Sequence, residues 1–257
     1  RLLGHRQRLL LNDVSGESLE VLVQSLRDEG VEVQALPGDL SQPGVAEALA
    51  ALVGQDDRLR SVVNAAGLSP IQADWRSIVA ANMIGPARLL AAVEPVLRCG
   101  TACVMIASVA GHLGPRDETA EALLSAPLQP DLERGLEKRL SALALTDGGT
   151  MEGHAYSLTK RAIIRLCEER AVEWGRLGAR IVSLSPGMIW TPMGRREAEG
   201  GRRAQALVDA TPAGRWGTAM DIALTVQFLV SEAASYISGS DIRVDGGAVA
   251  AMRGGLF

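Results

Sequence analysis

The chain has little of several things that would otherwise suggest a function. Three cysteines, Cys99, Cys103 and Cys167, are an odd number without metal-ligand spacing, so they predict reduced thiols rather than a disulfide frame or a zinc site. Neither charge sign dominates. A net charge of −4 over 257 residues gives no electrostatic footprint for nucleic acid or an anionic membrane. No apolar run approaches the length of a membrane span, and no signal-peptide pattern is present. Internal repeats and low-complexity linkers are also missing. The expectation is a globular cytoplasmic protein with reduced thiols. Only two tyrosines and two lysines, Lys138 and Lys160, occur in the sequence, and every other basic residue is arginine.

Against that background, Tyr156-Ser157-Leu158-Thr159-Lys160 stands out. The four-residue spacing puts phenol and amine on one face of a helix. An ammonium is a compact point charge that favours phenolate in a neighbouring tyrosine.

Apolar runs alternate with helical-period segments along the chain. Strands are expected at 8–12, 31–36, 59–64, 101–107, 179–184 and 242–244. Helices are expected at 16–29, 43–53, 74–98, 155–177 and 218–231. Continuous apolar strands alternating with helices predict one doubly wound α/β domain: a parallel sheet covered on both faces, three layers deep and Rossmann-like. Two stretches break the rhythm. Residues 111–154 carry two helical patterns, 118–124 and 132–145, split by Pro127 and Pro130, and read as an inserted helical hairpin before the tyrosine helix. Residues 192–215, polar and rich in Gly and Arg, read as a lid.

Polar or small residues close successive strands, where a parallel sheet presents its ligand-facing rim. Asp13 ends the first and Asp39 follows the second. Asn64-Ala65-Ala66-Gly67 ends the third, Ser108 the fourth, and Pro186-Gly187-Met188-Ile189-Trp190-Thr191 follows the fifth. His154 is read as a marker of the insertion boundary, and Trp190 and Met193 as an apolar substrate wall. Within the helix at 74–98, Pro86 has no N–H, so the carbonyl of Asn82 loses its helical donor.

Together these residues resemble the short-chain dehydrogenase/reductase family. The match runs from Leu9 to Gly247, interrupted by the insertion. It comprises Asn64-Ala65-Ala66-Gly67, Asn82, Ser108, Tyr156-x-x-x-Lys160, Pro186-Gly187 with Thr191, and a closing Val244-Asp245-Gly246-Gly247. Among subgroups, the inserted hairpin is similar to that of bacterial hydroxysteroid dehydrogenase/carbonyl reductases.

The resemblance implies an NAD(P)-dependent oxidoreductase that moves hydride between nicotinamide and a secondary alcohol or ketone on a hydrophobic substrate. It implies catalytic roles for Asn82, Ser108, Tyr156 and Lys160, with the Asn82 carbonyl holding a relay water. Lys160 and Tyr156 would hold the nicotinamide ribose, Asp39 and Leu40 would flank adenine, and Thr191 and the Ile189 backbone would hold the carboxamide. Asn64, Ala65, Ala66, Gly67, Pro186 and Gly187 would line the remaining cofactor path. No metal is expected. Asp13 would accept the adenosine ribose hydroxyls and repel a 2′-phosphate, which favours NAD over NADP.

A β-ketoacyl thioester reductase and a cofactor-sensing or scaffold protein of the same fold are the competing readings. One family element, a first strand with its Gly-rich turn, has no match in these residues. Arg1-Leu2-Leu3-Gly4-His5 reads as the last turn of a helix, and the expectation is that this strand and turn stand upstream of residue 1. A homo-oligomer is expected, a dimer in preference to a tetramer, because the hairpin should cover one of the family's two interfaces.

Overall fold

The computed structural model describes residues 1–4, 7–54, 57–199, 207–209 and 211–255. His5 and residues 200–206 and 210 of the expected lid lie outside them. The strands are β1 (Leu9–Asp13), β2 (Val33–Pro37), β3 (Ser61–Asn64), β4 (Ala102–Ile106), β5 (Arg180–Pro186) and β6 (Asp241–Val244). Every pairing is parallel. Val63 sits opposite Val104, Val104 opposite Val182, and Leu184 opposite Ile242.

Alternation along these strands builds two cores. Cys103, Met105 and Ile181 face one side and Val104, Val182 and Leu184 the other, as a period of two requires. The second face packs on Val226 and Leu229 of the helix Ala219–Leu229 (α10 below). The first packs on the helices that carry the site. The three-layer expectation holds, with one correction. The strands do not make one ladder: β1 pairs with β2, and β3–β4–β5–β6 form a separate sheet.

The helices follow the sequence pattern closely. They are α1 (Gly16–Asp28), α2 (Val45–Ala51), α3 (Trp75–Val79), α4 (Gly85–Val93), α5 (Ala110–Leu113), α6 (Glu118–Ser125), α7 (Leu132–Asp147), α8 (Met151–Arg176), α9 (Pro192–Glu199), α10 (Ala219–Leu229) and α11 (Ala248–Arg253). Local chemistry sets several starts. Asp74 accepts the Ser77 N–H ahead of α3, Thr150 accepts the Gly153 N–H ahead of α8, and Thr218 with Asp221 forms a capping box on α10.

The helix expected as one piece at 74–98 is interrupted. Between α3 and α4 lies a π-helical turn, Ala80–Ile84, in which the Gly85 N–H reaches back to the Ala80 carbonyl. Pro86, which has no N–H to offer the Asn82 carbonyl, stands just past the turn. The 22-residue helical stretch Trp75–Val96 is long and apolar enough to cross a membrane, with mean hydropathy 1.2. Its apolar side chains Trp75, Ile78, Val79, Met83, Leu89, Leu90 and Val93 are buried in the core instead.

The insertion is a helical hairpin, α6 against α7, laid on α8. Leu124, Leu132, Leu136 and Leu140 are buried in the main core and Leu123 and Leu143 partly so, while Leu128 and Leu145 stay exposed. Arg76 Nη2 on α3 meets Glu137 Oε1 on α7 at 2.8 Å. The hairpin therefore covers the chain's own helices. Helix α8 begins four residues earlier than expected, and α5, α9 and α11 were not anticipated.

Candidate active site

The carboxyl ends of β3, β4 and β5 open onto a cavity of about 310 Å³. Its wall brings together Ala65, Gly67, Ser108, Tyr156, Lys160, Pro186, Gly187, Ile189 and Thr191 from the expected set. Residues not foreseen there are Leu68, Ile106, Ala107, Gly194, Ala219 and Ile222. Ala219 and Ile222 arrive on α10, far along the chain from the tyrosine, so only the fold could reveal them. Asp13, Asp39, Leu40, Asn64, Ala66 and Asn82 do not line this cavity.

Lys160 is buried on α8, and its Nζ donates to the Ile106 carbonyl at 3.0 Å. The ammonium stands 5.8 Å from the centre of the Tyr156 ring. Burial without compensating charge pulls its pKa down to about 8. Ser108 Oγ accepts the Ala110 N–H at 3.2 Å, which leaves its own hydrogen available to donate.

Asn82 uses its side chain rather than only its backbone. Nδ2 donates to the Leu68 carbonyl at 2.9 Å, and Oδ1 accepts the Leu68 N–H at 2.8 Å. That clamp fixes the loop after β3 against the π-helical turn. At Gly67, on the same loop, a Cβ would stand 3.0 Å from Asn82 Oδ1 and 3.4 Å from Lys160 Nζ. A side chain at this position would press on the Asn82 amide and stand against the amine. The small residues Ala65, Gly67, Ala107 and Gly187 thus leave a flat-walled cradle beside a buried cation, which fits the ribose and ring of a nicotinamide nucleotide.

Asp13 is exposed at the end of β1, where its Oδ1 accepts the Ser15 N–H at 2.8 Å. Asp39 Oδ1 accepts the Ser41 N–H at 2.8 Å. Leu40 is buried, and Gly85 passes close to its Cβ. Of the expected apolar wall, Met193 lines the cavity. Trp190 does not. It is 50% exposed and stands edge-on to Trp216, with ring centres 5.1 Å apart. The correction has a local cause. The Trp190 N–H bonds the Gly217 carbonyl, and this short bridge draws its ring toward Trp216. His154 is buried with Nε2 3.0 Å from Asp147 Oδ1, joining the end of the hairpin to α8. Among the described residues no cluster could hold a metal.

Comparison with known proteins identifies the family. The chain is 31% identical over 232 residues to a 3-alpha-hydroxysteroid dehydrogenase/carbonyl reductase of Comamonas testosteroni, covering 89% of this chain and 86% of that one. The chain belongs to the short-chain dehydrogenase/reductase family. A family model described as enoyl-(acyl carrier protein) reductase matches residues 139–249. A short-chain dehydrogenase/reductase structure from Mycobacterium ulcerans superposes with a TM-score of 0.74 at 25% identity, covering 95% of this chain and 81% of that one. Actinorhodin polyketide ketoreductase with NADPH shares the fold at a TM-score of 0.73 and 21% identity, over 96% of this chain and 90% of that one. This short-chain dehydrogenase/reductase is an oxidoreductase of a family that uses nicotinamide cofactors.

Proposed function

We propose that the protein interconverts a ketone and a secondary alcohol on a hydrophobic substrate, with NAD as its cofactor. The observation that carries this reading is the cavity in which Ser108, Tyr156 and Lys160 meet beneath a wall of Leu68, Ile189, Met193 and Ile222. Lys160 is the charged side chain among its lining residues, so the wall selects neutral, apolar compounds. A bound nicotinamide supplies the hydride donor or acceptor.

The protein's own groups do the rest. Tyr156 exchanges a proton with the substrate oxygen, its phenolate favoured by the Lys160 ammonium. Ser108 donates its hydroxyl hydrogen to that oxygen and orients the carbonyl. The clamp of Asn82 on Leu68 keeps the loop of Ala65 and Gly67 in place, and the Asn82 carbonyl, in the π-helical turn, is the site for a relay water. The nicotinamide end would be held by Lys160, Tyr156, Asn64, Ala65, Ala66, Gly67, Pro186, Gly187, Ile189 and Thr191. The adenosine end would be held by Asp13, Asp39 and Leu40.

The carboxylate at Asp13 supports NAD over NADP, since it accepts ribose hydroxyls and repels a phosphate. Three free thiols, Cys103 and Cys167 buried and Cys99 exposed, suit a reducing cytoplasm. Apolar residues exposed on α10, together with a hairpin that covers α8, support a dimer. Incubating the protein with NADH and a panel of steroid ketones, quinones and short polar ketones tests the substrate reading. Loss of NADH absorbance is expected with the apolar members, and turnover confined to the polar ones would refute it.

A further inference from the structure

Arg161 follows Lys160 on α8, and its side chain reaches the segment that leads away from Ser108. It is nearly enclosed, 12% exposed. Nε donates to the Gly111 carbonyl at 2.8 Å, Nη2 to the Gly114 carbonyl at 2.7 Å, and Nη1 to the Pro115 carbonyl at 3.2 Å. Glu121 on α6 closes the remaining side, 3.4 Å from Nη1, and is also held by Arg165 at 2.8 Å.

These carbonyls need outside donors. Helix α5 is four residues long and leaves its last carbonyls without intrahelical partners. The donor a longer helix would offer Gly111 is the N–H of residue 115, and that residue is Pro115. A planar guanidinium can bridge several such oxygens at once, where an ammonium is a single point.

The near end of the same segment is Ser108. The Ala110 N–H bonds Ser108 Oγ, the Gly111 N–H bonds the Ser108 carbonyl at 3.0 Å, and the Val109 N–H bonds the Pro186 carbonyl at 3.1 Å. Between the two ends α5 rests directly on α8. A Cβ at Gly111 would stand 2.9 Å from Arg161 N and from Lys160 C. Opposite, His112 Nε2 lies 2.8 Å from Asp241 Oδ2 on β6. The serine thus begins a short bracket whose far end is gripped by one arginine.

We propose that Arg161 is a positioning residue: by clamping α5 onto α8 it sets the place of the Ser108 hydroxyl relative to Tyr156 and Lys160. This rests on the reading of Ser108 and Tyr156 as the reacting pair. The inserted hairpin takes part, since its Glu121 orients the guanidinium.

The test compares Arg161→Met and Arg161→Lys with Arg165→Met. The last strips the same Glu121 of its exposed partner and leaves the clamp intact. The assay uses NADH and the ketone that the wild type reduces fastest. Both Arg161 variants are expected to lose about tenfold to hundredfold in kcat, the scale of a misplaced catalytic group, with NADH affinity unchanged. Lysine should not rescue, and Arg165→Met should keep the wild-type kcat. Hydrogen exchange, which needs no substrate, should speed up at the Ala110 and Gly111 amides in both Arg161 variants and not in Arg165→Met. Arg161→Lys keeps charge and stem, which covers a methionine variant that does not fold. Wild-type kcat in a folded Arg161 variant, or unchanged exchange at those two amides, overturns the proposal. Tyr156→Phe in the same assay tests the catalytic reading separately. If that variant stays active while the Arg161 variants lose protection at Ala110, the catalytic reading fails and the clamp stands as structure alone, which also overturns the positioning role.

Discussion

Lys160 Nζ donates to the carbonyl of Ile106, two residues before Ser108, at 3.0 Å. Helix α8 is thereby bound to the strand that leads to Ser108, and the ammonium is buried.

That burial has a consequence for stability. The Lys160 pKa falls from the ordinary 10.5 to about 8 in the folded protein. Between those values the unfolded chain holds the proton and the folded one has released it, so stability rises with pH across this window. Below about pH 8 both states are protonated, and the full cost, on the order of 3 kcal/mol, is present. Lys160→Met removes the titration. Its unfolding free energy in urea should exceed that of the wild type most at neutral pH, with the margin shrinking as pH rises toward 10.5. A margin that is constant with pH would show that Lys160 is not destabilised by its burial.

The second expectation concerns the phenol. Tyr156→Phe keeps the ring and removes the exchangeable proton, so turnover should be abolished while cofactor still binds. Lys160→Ala should lose both. Steady-state rates and cofactor fluorescence distinguish the two outcomes. A Phe variant retaining more than about a tenth of the wild-type rate, a barrier change of only ~1.4 kcal/mol, would exclude Tyr156 as the acid–base group.

Much of this site was legible in the sequence because its parts lie at strand ends and on one helix face, and both follow from local periodicity. Tyr156 and Lys160 were legible from spacing, and Ser108 from the end of an apolar strand. The hairpin was legible because its leucines keep a helical repeat between prolines. Other features were not. The π-helical turn at Ala80–Ile84 stands beside the donor missing at Pro86, and a missing donor does not reveal which geometry the helix takes there. Ile222 joins the wall through a contact far apart in sequence. Trp190 looked like wall because it follows the strand, yet a single bridge to Gly217 turns it toward Trp216. The side-chain clamp of Asn82 on Leu68 was hidden for the same reason. Its partner is backbone, and backbone carries no sequence signal.

Cofactor choice is the third expectation. Asp13 is exposed at the end of β1 and bonded to the Ser15 N–H, which fixes its carboxylate there. Asp13→Ala should weaken NAD binding and narrow its advantage over NADP. Titrating both cofactors against wild type and variant measures this, and a wild type that prefers NADP would sink the ribose argument.

The last expectation concerns assembly. Met220, Leu224 and Phe228 recur every four residues on α10 and are 55%, 52% and 46% exposed. That spacing makes one apolar stripe along the helix. Large contiguous apolar surface on a folded protein marks an interaction site, and a two-fold dimer buries the same stripe from both partners. The part of α8 that carries Arg161 and Arg165 is covered instead by α6 and α7, with Glu121 paired to both arginines. Light scattering should therefore give a dimer. Leu224→Arg places a charge in the middle of the stripe and should yield a monomer with an unchanged far-ultraviolet spectrum. Deleting Arg116–Asp147 should not reduce the dimer to a monomer, since the hairpin stands apart from the stripe. It should instead uncover α8 and raise the assembly to a tetramer or larger species. A wild-type tetramer that falls to a dimer on the same deletion would show the opposite: that the hairpin builds an interface rather than blocking one.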